Sequence, residues 1–182
     1  MKAPFLSQAT VKGYCSYLNK FIAFLERLID DIMNILVTGG AGYIGSHTCV
    51  ALLEAGHKVI VADNLCNSKA ETIEKVKQIT NKGISFYKLD VTDEAALDTI
   101  FANHLIDGII HFAGLKAVGE SVEKPLAYYY NNTVSTMVLA KACQIYGVKR
   151  FVFSSSATVY GENEVPFVES MKLLPITNPY SL

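Results

Sequence analysis

Four glycines lie close together in the segment TGGAGYIGSHT, residues 38–48. Gly40, Gly42 and Gly45 fit the spacing G-x-G-x-x-G, while Gly39, Gly42 and Gly45 fit G-x-x-G-x-x-G. Glycines at this spacing permit positive φ, let backbone approach a pyrophosphate closely, and allow a helix to pack tightly on its strand. The N–H groups at the start of that helix would face the phosphates. The segment predicts a phosphate-binding turn, although glycines alone would also fit a merely tight strand-to-helix turn.

The context of the glycines favours a dinucleotide. A strand-like run, residues 34–38, precedes them, and the second predicted strand ends at Asp63, eighteen residues after Gly45. A carboxylate at this position can accept hydrogen bonds from the adenosine ribose, and it would repel a 2′-phosphate. The pattern therefore predicts NAD as the cofactor in preference to NADP.

Two further segments are expected to face the same cleft, because ligands of a doubly wound sheet lie at the carboxyl ends of its strands. Asp90 and Val91 end the third predicted strand, where the adenine would lie, and residues 111–114 end the fourth. Asp90 has an alternative role as a helix-capping carboxylate before Thr92. We expect His111 to make hydrogen bonds at its strand end rather than to act as a ligand or a base.

The elements that must position these residues follow an alternating pattern. From Asn34 onward, short runs rich in Val, Ile and Phe alternate with amphipathic segments of helix length. This alternation is typical of a parallel sheet with helices on both faces. The predicted fold class is α/β, a doubly wound, Rossmann-like parallel sheet with strand order 3-2-1-4-5. Its five strands are predicted at 34–38, 58–62, 84–89, 108–112 and 150–154.

Capping signals predict where the helices begin and end. Ser68 and Glu71 have the spacing of a capping box at the start of the second helix. The remaining signals are Gly56, Gly83 and Gly147 as helix stops, Thr92 and Asp93 as caps of the third helix, and Pro125 in the first turn of the fourth.

Residues 1–32 do not share this alternation. They carry an apolar stripe with helical spacing from Phe21 to Ile32, which predicts one amphipathic helix that needs an apolar surface. A partner-binding or membrane-surface helix is the alternative, but no Lys/Arg-rich face flanks the stripe. We expect an N-terminal extension at 1–32 and a dinucleotide-binding domain at 33–182.

Composition excludes several classes of function. Sixteen basic and seventeen acidic residues give a net charge of −1 without long runs of either sign, which argues against a nucleic-acid partner. The four cysteines are scattered and form no Cys-x-x-Cys pair, so neither a metal site nor a disulfide framework is predicted. No apolar run approaches the roughly 18 residues that cross a bilayer. We expect a cytoplasmic protein without a membrane partner.

Four stretches together resemble the UDP-galactose 4-epimerases of the extended short-chain dehydrogenase class. They are TGGAGYIGSHT, DNLCNS at 63–68, HFAGLKAVGES at 111–121 and SSSATVYG at 154–161. Many extended short-chain dehydrogenases share the glycine turn, whereas the second and third stretches are narrower signals. The resemblance implies a tightly held NAD, a UDP-hexose substrate and reversible epimerisation at C4 through a transient 4-keto sugar. It also allows a homodimer.

The resemblance also implies residue roles. The tyrosine that takes the 4-hydroxyl proton maps to Tyr180, and the serine that positions that oxygen maps to Ser156. The AGLKAV lysine maps to Lys116, and a helix asparagine maps to Asn131 rather than Asn132. The other implied cofactor-binding residues are Gly39, Gly42, Tyr43, Ile44, Gly45, Asp63, Asn64, Asp90, Val91, Phe112, Ala113, Gly114 and Ser154.

Plain alternatives exist for two of these motifs. The serines at 154–156 could satisfy backbone groups at a strand end, and Lys116 on its own would fit a solvated surface lysine. The stretch SSSATVYG favours the catalytic role for Ser156.

The sequence departs from the family pattern at one place. The family has Tyr-x-x-x-Lys, but only Ser181 and Leu182 follow Tyr180. We therefore expect a truncated chain without its substrate domain and with little epimerase activity. A non-catalytic NAD-binding fragment and another NAD-dependent nucleotide-sugar dehydratase or reductase are the alternative functions.

Overall fold

The computed structural model describes residues 32–181. Contacts divide the chain after Met33, and the fold below is that of the unit that begins at Asn34. The predicted helix within 1–32 lies outside the described residues, so the proposed division into an extension and a domain stays a prediction. Within residues 32–181, no helix has the length and apolar character needed to span a membrane.

Five parallel strands form one sheet with the order β3-β2-β1-β4-β5. This order confirms the predicted topology. The strands are β1 Asn34–Thr38, β2 Lys58–Ala62, β3 Ser85–Tyr87, β4 Gly108–His111 and β5 Arg150–Phe153. The prediction for β3 was too long, because only three of its residues pair with β2.

Five helices connect or follow these strands, where four were predicted. The additional helix is the six-residue Val118–Glu123, which precedes the long helix predicted after β4. The helices are α1 Tyr43–Glu54, α2 Glu71–Thr80, α3 Glu94–Asn103, α4 Val118–Glu123 and α5 Pro125–Tyr146.

Most predicted helix ends are confirmed. Gly56 and Gly147 have φ angles of +96° and +71°, the left-handed conformation that ends a helix. The Asp93 carboxylate accepts a hydrogen bond from the Ala96 N–H at 3.0 Å and so caps α3. Pro125 is the first residue of α5, where its missing N–H removes no intrahelical bond.

The predicted ends of α2 are wrong. The Ser68 hydroxyl does not cap the helix but donates to Asp63 Oδ1 at 2.8 Å. Ala70 stands at the N-cap instead. The helix ends before Asn81, whose φ is +51°, rather than near Gly83. Asparagine tolerates the left-handed conformation better than other residues that carry a Cβ, so it serves here in place of glycine.

One face of the sheet carries a cluster of buried apolar side chains. Its strand residues are Leu36, Ile60, Ala62 and Ile109, and α3 and α5 cover them with side chains that include Leu97, Ile100, Phe101, Leu139 and Ala142. Side chains alternate across a strand, so Ile35 and Val37 face the opposite side, and both are buried. Burial of β1 on both faces explains its unbroken apolar sequence.

His111, at the end of β4, connects three elements beneath the carboxyl edge of the sheet. Its Nδ1 lies 2.6 Å from Thr38 Oγ1 on β1, and its Nε2 lies 3.4 Å from Ser135 Oγ on α5. The side chain is 1% exposed. Because burial disfavours the charged ring, the pKa of His111 falls from 6.5 to about 4.

This burial predicts a loss of stability in mild acid. Below pH 6.5 the unfolded chain takes up a proton on His111, whereas the folded chain does so only near pH 4. The free energy of unfolding should therefore fall by about 2 kcal/mol between pH 7 and pH 5 on this account. Urea unfolding of the unsubstituted chain and of His111→Gln at both pH values measures the effect. Equal pH dependence in the two proteins would contradict it.

Candidate functional site

Two glycines of the turn after β1 stand where a side chain would not fit. Gly39 has a φ of +69°, and a Cβ on it would lie 2.7 Å from the Ala113 backbone nitrogen. A Cβ on Gly45 would collide with the Gly39 carbonyl oxygen. The turn is therefore pressed against its own helix and against the end of β4, as close packing of a phosphate-binding turn requires.

Helix α1 begins directly after this turn. Its N-cap is Gly42, which provides no side-chain capping bond, and its first turn contains no acidic residue. The first N–H groups of a helix lack intrahelical acceptors and carry partial positive charge. This helix end, lined by Tyr43, Ile44 and Gly45, therefore offers an anion-binding edge to the cleft.

Asp63, at the end of β2, joins the glycine turn to the loop that follows the strand. Its Oδ2 accepts from the Ala41 N–H at 3.0 Å. Its Oδ1 accepts from the Leu65 N–H at 2.9 Å and from the Ser68 hydroxyl. The side chain is 7% exposed and lines the cleft. These bonds hold the carboxylate in one orientation beside the turn.

Asp90, after β3, is held in a similar way. It accepts hydrogen bonds from the Thr92 N–H at 2.9 Å, from the Thr92 hydroxyl at 2.7 Å and from Asn64 Nδ2 at 3.0 Å. Partial burial alone would raise the pKa of Asp90, but the bonds from Thr92 and Asn64 lower it below its usual value. Asp90 therefore stays ionised, and it organises the loop after β3 while it lines the cleft beside the buried Val91.

The segment after β4 carries Lys116 along the cleft. Phe112 begins it with an N–H bond to the Thr38 carbonyl at 3.0 Å. The Lys116 side chain is exposed. On α5, Asn131 Nδ2 donates to Asn132 Oδ1 at 2.9 Å. Both asparagines line the cleft, so the position of the cleft does not by itself decide between them.

Ser156 and Tyr180 close the cleft on the β5 side. Ser156 Oγ accepts from the Thr158 N–H at 3.2 Å and lies 2.9 Å from the Thr158 hydroxyl. The local, strand-end role considered for this serine is therefore also present. Tyr180 lies in the short 3-10 turn Pro179–Ser181.

One cleft of about 610 Å³ is lined by every predicted catalytic and cofactor-binding residue, from the glycine turn to Tyr180. Motif reasoning did not assign several other lining residues, which come from the loops after β2 and β4, from α5, and from β5 and the segment after it. They include Cys66, Asn67, Leu115, Asn132, Ser135, Thr136, Met137, Phe153 and Ser155. For the lining residues on α5, helical spacing from Asn131 was a signal in the sequence that could have suggested them.

A doubly wound sheet with a glycine turn at its carboxyl edge defines the class of dinucleotide-binding α/β domains. Residues 35–182 match the NAD dependent epimerase/dehydratase family, and the chain belongs to that family.

Individual relatives are UDP-glucose 4-epimerases. The Bacillus subtilis (strain 168) protein is 57% identical over 148 residues, which are 81% of this chain and 44% of that protein. A Klebsiella pneumoniae sequence is 54% identical over 139 residues, 76% of this chain and all of that sequence. The Bifidobacterium longum enzyme, solved in complex with NAD⁺ and UDP, superimposes with a TM-score of 0.79 at 52% identity over 81% of this chain and 44% of that one. The chain thus spans less than half of most curated relatives it matches.

The packing of the glycine turn predicts a selective effect of one added methyl group. Gly45→Ala should lower the free energy of unfolding by about 1–3 kcal/mol, because its Cβ meets rigid backbone at Gly39. Gly119→Ala in α4 is the matched control, since nothing lies within 4 Å of its Cβ. The control should be neutral or up to about 1 kcal/mol more stable, through helix propensity. Urea unfolding that ranks the two variants in the opposite order would contradict this account.

Proposed function

We propose that this chain binds NAD and forms the cofactor half of a UDP-glucose 4-epimerase. The observation that carries the proposal is the single cleft that brings the glycine turn, Asp63, Lys116, Ser156 and Tyr180 together. The likeness to one enzyme solved with NAD⁺ and UDP and to another solved with NAD and a formylated UDP-arabinopyranose supports it.

The residues of the cleft fit a dinucleotide. At Gly39 and Gly45 a Cβ would meet neighbouring backbone, so the glycines permit the tight strand-to-helix turn that a pyrophosphate-binding site requires. The start of α1 provides positive potential without a competing acidic side chain. Asp63 would accept from the adenosine ribose with its remaining lone pairs, and Asp90 with Val91 would border the adenine.

The nicotinamide half then lies towards β4 and β5, since the adenosine half lies towards β2 and β3. Lys116 would donate to the ribose on this side, and Asn131 and Ser154 would add polar contacts. Phe112, Ala113 and Gly114 would form the wall next to the pyrophosphate. Each of these residues lines the cleft.

In the proposed reaction, NAD held between the glycine turn and Lys116 would supply a reversible hydride acceptor for C4 of the hexose. Tyr180 would take the proton from the 4-hydroxyl, acting as a general base at hydrogen-bond range. Ser156 would hold the same oxygen and fix its orientation. The positive charge of Lys116 on this side of the cleft would favour negative charge at the reacting oxygens.

We also propose a cytoplasmic protein and a homodimer. Unpaired thiols at Cys49, Cys66 and Cys143 fit a reducing compartment. Exposed apolar side chains on α5, among them Leu126 and Tyr130, give a surface that a second copy could cover. Sedimentation equilibrium would measure the assembly state.

Cofactor selection tests the role of Asp63. The chain should bind NAD at least about tenfold more tightly than NADP, because the carboxylate would repel a 2′-phosphate. Asp63→Asn should reduce this ratio, since it removes the charge while it keeps the shape. Asp107→Asn serves as the control, because Asp107 binds the Asn34 N–H at the opposite end of the strands. Calorimetric titration that finds equal affinity for both cofactors in the unsubstituted chain would contradict the assignment.

Epimerisation itself can be tested in a full-length chimera. The 182-residue chain is continued, after the position of Leu182, by the remaining part of the Bacillus subtilis enzyme. Conversion of UDP-galactose to UDP-glucose should occur, and Tyr180→Phe should lower kcat by about 10²-fold or more. Tyr160→Phe is the matched control, because Tyr160 stacks on Phe167 outside the cleft. An active chimera that tolerates Tyr180→Phe would exclude the proposed base.

A further inference from the structure

The loop between β4 and α4, residues 112–117, carries Lys116 past the cleft. The Lys116 side chain is exposed and forms no hydrogen bond or ion pair with another residue in 32–181. The backbone on either side of Lys116 therefore sets the point from which its flexible side chain reaches the cleft. That backbone is held by two side chains of α5.

On the N-terminal side of Lys116, the amide of Asn132 pairs with both backbone groups of Leu115. Asn132 Oδ1 accepts from the Leu115 N–H at 2.8 Å, and Nδ2 donates to the Leu115 carbonyl at 2.9 Å. This is the bonding pattern that a neighbouring strand would offer. A Cβ on Gly114 would come within 3.4 Å of Asn132 Oδ1, so the loop runs close to the helix here.

On the C-terminal side, the hydroxyl of Tyr128 bridges the loop and α4. It accepts from the Ala117 N–H at 3.1 Å and donates to Glu120 Oε2 at 2.9 Å. Tyr128 is 1% exposed. Burial, and then the bond to Glu120, raise the pKa of Tyr128, so the hydroxyl keeps the proton that it donates.

Tyr128 and Asn132 are four residues apart on α5 and therefore lie on one face, one turn apart. We propose that they are positioning residues, a pair of side chains that clamps the backbone on both sides of Lys116 and thereby sets where its ammonium group meets the nicotinamide half of the cofactor. This inference rests on the proposed NAD binding.

If the clamp is removed, we expect the chain to lose affinity for the nicotinamide half of NAD and to keep its affinity for the ADP half. ADP contains the adenosine and pyrophosphate but not the nicotinamide ribose that Lys116 would contact. Tyr128→Phe and Asn132→Ala should each weaken NAD binding about fivefold to tenfold and change ADP binding by less than twofold. Calorimetric titration of the full chain with both ligands gives these ratios.

Tyr146→Phe is the matched control. Tyr146 also lies on α5 and donates to a carboxylate, Asp98, but it lies outside the cleft. The control should leave both affinities unchanged. Glu120→Gln tests the clamp through the group to which Tyr128 donates. Glu120 is half exposed, so this variant can fold even if Tyr128→Phe does not. It should also weaken NAD binding and leave ADP binding unchanged.

A double-mutant cycle distinguishes positioning from a general structural role. In a Lys116→Met background, Tyr128→Phe should weaken NAD binding by less than twofold further, because the group that it positions is gone. A full fivefold loss without the lysine, equal losses for NAD and ADP, or no loss of NAD affinity would each overturn the clamp. An unsubstituted chain that binds neither NAD nor ADP would overturn the proposed function together with it.

Discussion

The close contact between the turn after β1 and the end of β4 is the constraint on which the cleft depends. Gly39 lies against the Ala113 backbone, and Gly45 lies against Gly39, so three backbone segments meet without intervening side chains. This contact sets the distance between the start of α1 and the segment that leads to Lys116. If the turn moved outward, the anion-binding helix end and the lysine would no longer border the same cleft.

Buried polar groups at the carboxyl edge of the sheet stabilise this arrangement. Thr38, the last residue of β1, lies within hydrogen-bond distance of His111, and its hydroxyl also accepts from the Ala113 N–H at 3.4 Å. Ser135 adds a contact from α5. A buried polar network is stabilising only when its members are bonded to one another. The neutral His111 ring therefore helps to hold Thr38 and Ser135 in place at the floor of the cleft.

Several cleft residues have a structural partner as well as a proposed ligand. Asp63 binds the glycine turn and its own loop, Asp90 binds Thr92 and Asn64, and Ser156 contacts Thr158. Carboxylate and hydroxyl oxygens have more than one lone pair, so these bonds orient the groups and still leave acceptor capacity for a ligand. The plain and the functional interpretation of such a residue are thus compatible.

Sequence alone was sufficient for the strand order, for the bounds of β1 and β2, and for a set of site residues that all line one cleft. Apolar runs and glycine spacings are local signals, and parallel connectivity leaves few arrangements for them. Sequence alone did not decide the partner of Ser68, whose local spacing fits a helix cap but whose hydroxyl binds Asp63.

Only the tertiary structure showed which groups Tyr128 and Asn132 bind. Their sequence pattern shows a shared helix face, but the groups that they bind, at 115 and 117, belong to a separate loop that the fold brings beside them. The same holds for His111, whose partners lie 73 and 24 residues away. A polar side chain bonds to whichever group the fold places within about 3 Å. For these residues that group is distant in the chain, so no local pattern encodes it.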